Sequence, residues 1–436
     1  MQRVAFYAAL GLAMAVSWAG AAEIAKGFIN AADYPSLQEA IDAVPREGGT
    51  VLIPAGDYVI TKTLDLSRRY GLGAVAGRGA VTLQGAGITA TRLLGRTGSA
   101  PVIDLSASGY CHVKDMYISG QECDVGVLLC RGTGEKEGSA GAIVFDSVLM
   151  GGNFRKAAFY NMSGEVCRFY NSFFETNSPN SFAFYFGPEN LLNVPSPSVT
   201  IFPSSNTELR FIGCTFGSFG ENSVGLYVRG GASDVSVWGC YFANRGQAAI
   251  YLDGSRACVD SINMTDVRIE GEHGRHCLYA RGCVRRVSII GGTWLSTGGE
   301  VIRYEAPPDG STWAENWLIQ QTSLDLYDWA FPDPNLPGFY ARQFPQGEDG
   351  YVLARFDDLR NSILDLTWGV VAHFEKDEQG KEKVRYIGNR RILVIDRCSH
   401  ANRITVRDKG DVTLKGKVVD TAIIPLGGQG EIQFAR

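Results

Sequence analysis

Short runs in which apolar and polar residues alternate recur along most of the chain. In the segment 234–254, Val235 and Val237 alternate with polar residues, Gly239 follows as a turn residue, and two further short runs come after it. Alternation with a period of two residues predicts β-strands that bury one face. The same pattern of three runs recurs in segments 142–162, 167–187, 209–230, 262–282 and 287–305.

Two columns of equivalent residues set the length of this repeat. The first column occupies a tight turn, where Asn, Asp and Gly tolerate a left-handed backbone; its members are Asp115, Asp146, Asn171, Gly213, Gly239, Asp266, Gly291 and Gln321. The second column falls in the third run: Tyr160, Tyr185, Tyr227, Tyr251, Tyr279 and Tyr304. Most steps are 24 to 28 residues, and both columns lengthen at the Pro- and Ser-rich insertion 188–206.

Three strands of this length cannot bury a core alone, but repeats stacked in register can. The repeat therefore predicts an all-β fold, a right-handed parallel β-helix solenoid, with ladders of inward residues such as Val237 over Phe211 and Met264. A second predicted ladder places Phe242 over Phe216, Ile269 and Trp294.

Ten cysteines occur in the chain. Cys214 and Cys240 fall in one inward column with Ser147 and Ser172, which predicts free buried thiols. Cys258 and Cys283 occupy equivalent positions on adjacent coils, so a disulfide could join them.

A helix is predicted near the start of the repeats. Ser36 is a suitable N-cap, and the apolar residues that follow share one helical face: Leu37, Ala40, Ile41 and Val44. Pro45 and the pair Gly48–Gly49 end the pattern, and a strand follows. Because the open end of a solenoid needs a cover, we expect this helix to cap it.

The phrase SLQEAIDAV…GGTVLIPAGDYVI within residues 30–66 resembles the opening of the pectate-lyase-like superfamily. The superfamily includes rhamnogalacturonases, related glycoside hydrolases, epimerases and phage tailspikes. The resemblance implies a parallel β-helix and a site on one sheet and its loops. It does not imply one reaction, because the fold carries several chemistries.

These patterns divide the chain into three parts. Residues 1–22 have the charged, apolar and small-residue regions of a signal peptide, which predicts a secreted or periplasmic protein without a membrane span. Residues 23–66 hold the cap helix and first strands. Residues 67–436 form the β-helix, with loop insertions at 188–206, 306–314 and 326–350 and further coils at the C-terminus. The net charge of -5 disfavours a nucleic-acid partner, and the oligomeric state remains unknown.

Chemistry is predicted on the outer face of the third strands. If Leu226, Ile250 and Leu278 point inward, the next residues point outward and form a ladder: Tyr227, Tyr251 and Tyr279. Two residues further along each strand come Arg229, Asp253 and Arg281. One interpretation is a polysaccharide groove in which tyrosines stack on sugar rings and arginines hold carboxylates. The other is a structural ion network on a sheet surface.

The loop 270–276 adds Glu272, His273 and His276, while neighbouring coils add Arg245 and Glu175. A short loop rarely directs three ligands inward, so no metal site is predicted. No cofactor is predicted either; calcium is possible but unsupported, because the clustered acidic positions that hold it in pectate lyases are not seen.

Two reactions fit these residues. β-Elimination from a uronate needs positive charge beside the substrate carboxylate, which Arg229 and Arg281 could supply, and a base such as His273, His276 or Tyr251. Arg281 also stays a candidate base, because related lyases are thought to use Arg or Lys. The pattern leans slightly toward this lyase reaction on an acidic polysaccharide.

Hydrolysis needs two carboxylates, with Asp253 as base or nucleophile and Glu272 or Glu175 as acid. A non-catalytic surface solenoid is the third alternative. It predicts a flat face at residues 229, 253 and 281 without a groove.

Overall fold

The computed structural model describes most of the repeat region. Its described residues are 27–45, 47–66, 81–133, 141–187, 192–196, 200–202, 208–271, 274–329, 351–366, 368–386, 391–397, 402–406, 411–415, 421–425 and 432–435. The predicted signal peptide and most of the insertion 326–350 lie outside them.

The described strands form a parallel β-helix with three faces, which we name the first, second and third sheets in the order in which each coil visits them. Each strand pairs in parallel with its equivalent in the next coil. Alternate residues point into the solenoid, and their apolar side chains form one continuous core. The fold prediction is confirmed.

The strands of the first sheet include Phe28–Asn30, Gly49–Ile53, Val81–Gly85, Cys167–Tyr170, Leu209–Ile212, Ser233–Trp238, Ala314–Glu315, Leu318–Gln320, Leu359–Arg360, Ile363–Leu366, Asn402–Val406 and Thr421–Pro425. The second sheet includes Gly56–Ile60, Thr91–Gly95, Phe173–Thr176, Thr215–Ser218, Tyr241–Asn244, Arg268–Gly271, Thr293–Ser296, Ser323–Trp329 and Trp368–Lys376. Strands His112–Gly120 and Val144–Gly152 run from the first sheet into the second.

The third sheet includes Leu64–Asp65, Gly98–Asp104, Cys123–Leu129, Ala157–Asn161, Phe182–Phe186, Val224–Arg229, Ile302–Glu305, Val352–Phe356, Arg391–Ile395, Asp411–Lys415 and Ile432–Ala435. Strands Ala248–Thr265 and His276–Ile290 begin in the third sheet and continue into the first sheet of the next coil. Two antiparallel pairs are added, Arg131–Thr133 with Thr200–Phe202 and Trp368–Lys376 with Glu382–Tyr386.

The α-helix Leu37–Asp42 is present and follows a 3₁₀ turn at Ala31–Asp33. The Ser36 side chain accepts a hydrogen bond from the backbone N–H of Glu39, as an N-cap does. The apolar face predicted from the sequence, including Ala40 and Ile41, is buried in the main core.

The predicted inward ladders are confirmed. Val237 lies between Phe211 and Met264 in the paired strands. Phe242 stacks on Phe216 with ring centroids 4.5 Å apart. Aromatic rings repeated at the coil spacing bury much area and add favourable ring contacts, so they help to hold adjacent coils in register.

The turn column is correct at seven positions and wrong at one. The turn residue of its coil is Ser147, with a φ of 55°, and not Asp146. Pairing sets Asp146 opposite Lys114, which leaves Ser147 opposite Asp115 at the turn. Ser147 therefore does not belong to the inward column of Cys214, and Val148 takes that place, with its N–H bonded to the Ser172 hydroxyl.

The cysteine predictions agree with the structure. Cys214 and Cys240 are free and buried. Cys258 and Cys283 form a disulfide that joins two adjacent coils just beyond the third sheet.

We expect loss of this disulfide to lower stability measurably. A bridge closing a loop of 25 residues restricts the unfolded chain and contributes about 3 kcal/mol. The double variant Cys258→Ala/Cys283→Ala should therefore melt several degrees lower in calorimetry, with the same far-ultraviolet circular dichroism. Cys277→Ala, which removes a free buried thiol, is the control for cysteine loss alone; an unchanged melting temperature in the double variant would contradict the prediction.

Candidate functional site

The outer face of the third sheet presents two parallel columns of side chains. One holds Tyr160, Tyr185, Tyr227, Tyr251 and Tyr279 in register. The other lies two residues further along each strand and holds Arg229, Asp253, Arg281 and Glu305. Because parallel pairing sets equivalent residues about 4.8 Å apart, the second column is a continuous line of charges.

Asp253 is the centre of this line and is fully buried. Its Oδ2 accepts hydrogen bonds from the Tyr227 hydroxyl at 2.5 Å and from Arg281 Nη2 at 2.8 Å. Its Oδ1 accepts from Arg281 Nε at 3.0 Å and from the backbone N–H of Ser255 at 3.1 Å. Burial alone would raise the pKa of Asp253, but hydrogen bonds from Arg281, Ser255 and Tyr227 hold that pKa well below its usual range.

The two arginines beside Asp253 differ in accessibility. The Arg229 side chain is 9% exposed and reaches Asp253 Oδ2 at 3.2 Å, whereas the Arg281 side chain is 44% exposed. The hydrogen bonds from Arg281 to Asp253 raise the pKa of the guanidinium further above its usual range. Arg281 is therefore a cation fixed on one side by a buried carboxylate and open to solvent on the other.

The tyrosine ladder lies outside the solenoid, as predicted, but its faces are covered. Tyr227 is 7% exposed and Tyr251 is 6% exposed. The rings pack on one another, with centroids 5.0 Å apart between Tyr227 and Tyr251, and the Arg281 guanidinium lies over Tyr251. These rings have no free face for a sugar, so the predicted sugar stacking by Tyr227 and Tyr251 is wrong. Tyr279 is partly buried in the same stack.

A second hydrophobic cluster covers the earlier part of this face. It includes Leu128, Tyr160 and Tyr185, and Val194 from the insertion 188–206 is buried among them. Ser196, from the same insertion, donates a hydrogen bond to the buried Asp104 at 2.5 Å. Residues 192–196 of the insertion thus lie on the outer face of the third sheet.

Beyond Tyr279 the predicted tyrosine column is wrong by one residue. Arg303 pairs with Tyr279, while Tyr304 pairs with Ala280 and is fully buried in the core. The Tyr304 hydroxyl donates to the carbonyl of Gly282, which satisfies it inside the solenoid. Because of this shift, Arg303 and Glu305 were not identified from the sequence as outward residues.

The line of charges continues over later coils, where Asp357 and Asp396 follow Glu305. We name the whole line the charged row: Arg229, Asp253, Arg281, Glu305, Asp357 and Asp396. The residues Glu305, Asp357 and Asp396 were missed by sequence reasoning. The alternation around Tyr304 could have identified Glu305: if Tyr304 points inward, its neighbours Arg303 and Glu305 point outward.

Glu305 and Asp357 lie on consecutive coils and share one arginine. Arg303 Nη1 donates to Asp357 at 2.7 Å, and Arg303 Nε donates to Glu305 at 3.4 Å. The Tyr279 hydroxyl also donates to Glu305. The side chains are 41% exposed for Glu305 and 24% for Asp357. Burial raises the pKa of Asp357 above its usual value, against the lowering effect of Arg303.

His276 lies at the start of the third-sheet strand, beside this pair. Its ring stacks on Tyr279, and Nδ1 lies 2.9 Å from the backbone carbonyl oxygen of Glu300. Because a carbonyl only accepts, Nδ1 carries the proton and Nε2 keeps its lone pair in the neutral ring. Burial lowers the pKa of His276, which favours that neutral form.

Other predicted site residues are not part of this arrangement. Glu175 lies on the outer face of the second sheet, in register with Gly217. Arg245 follows a second-sheet strand, and its guanidinium lies over the ring of Phe219. Glu272 and His273 lie outside the described residues.

The described residues of the charged row do not form a metal centre. Among the described residues, no group of three or more His, Cys, Asp or Glu side chains is arranged to hold a metal ion. A cavity of about 890 Å³ lies instead at the N-terminal end, between the helix and strand Gly56–Ile60, and no residue of the charged row lines it. Over the same described ranges, no helix is long and apolar enough to cross a membrane.

No protein-family profile and no curated protein matches this sequence. Solved structures do match. The structure of DFA-IIIase from Arthrobacter chlorophenolicus A6 in complex with DFA-III aligns with 88% of this chain and 95% of its own, at 10% identity and a TM-score of 0.53. The protein has the parallel β-helix fold.

Two further structures align with this β-helix at lower scores. Endo-xylogalacturonan hydrolase from Aspergillus tubingensis covers 84% of this chain and 95% of its own, at 11% identity and a TM-score of 0.46. ORF18 of Geobacillus virus E2 covers 97% of this chain at 11% identity and a TM-score of 0.42, and this chain spans 64% of that one. Likeness at these identities shows the fold alone.

We expect Asp253 to be required for stability. Asp253→Ala should lower the free energy of unfolding by about 3 kcal/mol, because it removes the buried carboxylate that accepts hydrogen bonds from Tyr227, Arg229 and Arg281. The matched control is Asp260→Ala: Asp260 also pairs with two arginines, Arg285 and Arg286, but both are substantially exposed. Its loss should cost under about 1 kcal/mol.

The difference in the free energy of unfolding between wild type and Asp253→Ala should also depend on pH. A carboxylate whose pKa is lowered by folding stabilises the protein above its unfolded pKa of about 3.9, and that contribution is lost as the pH falls further. Urea unfolding of both proteins at pH 7 and at decreasing acid pH measures this difference. If Asp253→Ala and Asp260→Ala lower the free energy of unfolding equally at pH 7, the buried network around Asp253 contributes no more to stability than an exposed ion pair.

Proposed function

We propose that this protein is an enzyme that cleaves an acidic polysaccharide by hydrolysis at the exposed part of the charged row. The observation that carries the proposal is the pair Glu305 and Asp357, two accessible carboxylates on consecutive coils bridged by Arg303. The resemblance of residues 30–66 to the pectate-lyase-like superfamily supports the substrate class.

The environments of the two carboxylates differ as glycoside hydrolysis requires. Asp357, whose pKa is raised by burial, keeps its proton to higher pH and serves as general acid toward the glycosidic oxygen. Glu305 is more exposed and is oriented by Tyr279 and Arg303, so it serves as nucleophile or base. Consecutive coils lie about 4.8 Å apart, close to the separation of about 5 Å found in retaining glycosidases.

Arg281 supports the proposal that the polymer is acidic. It precedes Glu305 in the row, Asp253 fixes two of its nitrogens, and nearly half of its side chain is exposed. A guanidinium held in this way is prepared to bind a substrate carboxylate without further ordering. In this proposal Asp253 is a positioning residue for Arg281 and does not touch the substrate.

Elimination is a second candidate, and one observation favours it. The neutral His276 ring has its proton on Nδ1, so Nε2 could accept the proton beside a uronate carboxylate. Arg281 and Arg303 would then stabilise the developing negative charge.

We also propose that the protein is exported, since residues 1–22 resemble a signal peptide and since a disulfide joins Cys258 to Cys283.

Glu305→Gln and Asp357→Asn should each reduce kcat by at least about 100-fold. The assay uses polygalacturonate, alginate and hyaluronan as acidic polymers and dextran as a neutral one, and follows both new reducing ends and the absorbance of unsaturated uronates. Asp309→Asn, an exposed aspartate in the loop 306–314, is the matched control and should retain full activity.

If unsaturated products form, disappear in His276→Gln and persist in Glu305→Gln, the reaction is elimination and the hydrolysis proposal is wrong. No turnover of any polymer by the wild-type protein would overturn the enzyme proposal.

The pH profile tests the role of Asp357 separately. A general acid is active while protonated, so activity should fall as the pH rises through the pKa of Asp357. Arg303→Gln removes the positive charge that lowers this pKa, so the alkaline limb should move to higher pH even if kcat decreases. An alkaline limb that stays in place or moves to lower pH contradicts the assignment.

A further inference from the structure

Trp238 is the most exposed of the tryptophans whose side chains the structure describes. It ends the first-sheet strand Ser233–Trp238 and is 58% exposed. Trp294 and Trp317 are buried, and each donates its indole N–H to a backbone carbonyl. In the part of the chain that the structure describes, no side-chain hydrogen bond or ring contact involves Trp238. A single exposed apolar residue is common on a protein surface, so what distinguishes Trp238 is the set of residues around it.

The register places Trp238 in an outward column with Tyr170 and Ile212 on the two preceding coils. The adjacent outward column holds Arg168 and Arg210, whose side chains are 44% and 51% exposed. We name these five residues the corner patch. Both arginines lie near Glu208, with N–O distances of 3.9 Å for Arg168 and 2.9 Å for Arg210.

Two of the turns beside the corner patch, those after Ile212 and Trp238, carry no side chain. Gly213 and Gly239 follow Ile212 and Trp238 directly, with φ values of 62° and 57°. A Cβ added at Gly239 would meet nothing within 4 Å. The edge of the indole is therefore open on the side of the turn, and a flat molecule can reach its face.

The size of the apolar surface indicates what could cover it. A stable interface with a second copy buries about 800 Å² per partner around an apolar centre. Here the strongly exposed apolar surface is one indole with Phe173, 41% exposed, across the turn, and Tyr170 and Ile212 of the patch are only partly exposed. A single ring flanked by guanidinium and hydroxyl groups, including Ser236, matches a sugar, which has an apolar C–H face and a polar edge.

We propose that the corner patch is a second polysaccharide-binding site, on a different face from the charged row, where a sugar ring stacks on Trp238. Arg168 and Arg210 donate hydrogen bonds to hydroxyl or carboxylate oxygens of the neighbouring sugar. The choice of a polysaccharide as ligand rests on the proposed function, whereas the site itself rests on the exposed ring and its neighbours. Such a site would hold the polymer beside the enzyme without taking part in cleavage.

Binding is measured with the full chain carrying Glu305→Gln, so that cleavage at the row does not consume the ligand. Affinity electrophoresis in gels containing polygalacturonate, alginate, hyaluronan or dextran should show retardation by at least one polymer. Trp238→Ala should weaken that retardation about tenfold, and Trp238→Phe, which keeps an aromatic face, should weaken it less. Tyr110→Ala removes another exposed aromatic residue, 56% exposed, and should leave retardation unchanged.

Activity and self-association separate the alternatives. In the otherwise wild-type chain, Trp238→Ala should leave kcat on short oligosaccharides unchanged and raise KM on long polymer. Loss of kcat for both substrates, or unchanged retardation by every polymer, overturns the corner patch as a binding site. A dimer in sedimentation that Trp238→Ala dissociates shows that a second copy covers the patch. Retardation that depends on Trp238 in a protein without turnover supports the patch and contradicts only the proposed function.

Discussion

The in-register stacking of one coil on the next is the constraint on which the rest of this structure depends. Parallel pairing forces each residue to lie about 4.8 Å from its equivalents above and below. Equivalent positions of successive coils therefore form columns of side chains, either inside or outside the solenoid. Inside, the columns are filled by stacked phenylalanines and branched aliphatic residues. Outside, the same geometry turns single charged residues into a row.

A row of charges at this spacing is stable only when signs alternate or when a neighbouring column compensates. Arg229, Asp253 and Arg281 alternate, and the buried Asp253 is held by both arginines. Further along, three acidic residues follow one another, and the compensation comes from the adjacent column through Arg303 and Arg355. The first arrangement keeps its carboxylate ionised. The second leaves Asp357 with a raised pKa, which is why we place proton transfer there.

The outer face of the third sheet has a covered part over the earlier coils and an accessible part over the later coils. Over the earlier coils, Val194 from an insertion packs on a cluster that includes Tyr160 and Tyr185. Toward the later coils the covering cluster ends, and Arg281 and Glu305 become accessible. The tyrosine ladder positions two members of the row: the Tyr227 hydroxyl donates a hydrogen bond to the buried Asp253, and the Tyr279 hydroxyl donates one to the exposed Glu305. Burial of the ladder is therefore part of how the row is positioned.

The sequence by itself determined the repeat, the parallel β-helix, the helix at Leu37–Asp42, the inward ladders and the register of Arg229, Asp253 and Arg281. These features follow from local alternation and from a period that recurs, both of which are visible along the chain. Tertiary structure alone decided that Tyr227 and Tyr251 are covered, that Tyr304 turns inward, and that Glu305 and Asp357 share Arg303. Alternation predicts which side chains point out of the solenoid, but it does not predict which segments pack on them. Where the insertion folds, and how a column continues past an irregular coil, depend on packing between segments far apart in sequence.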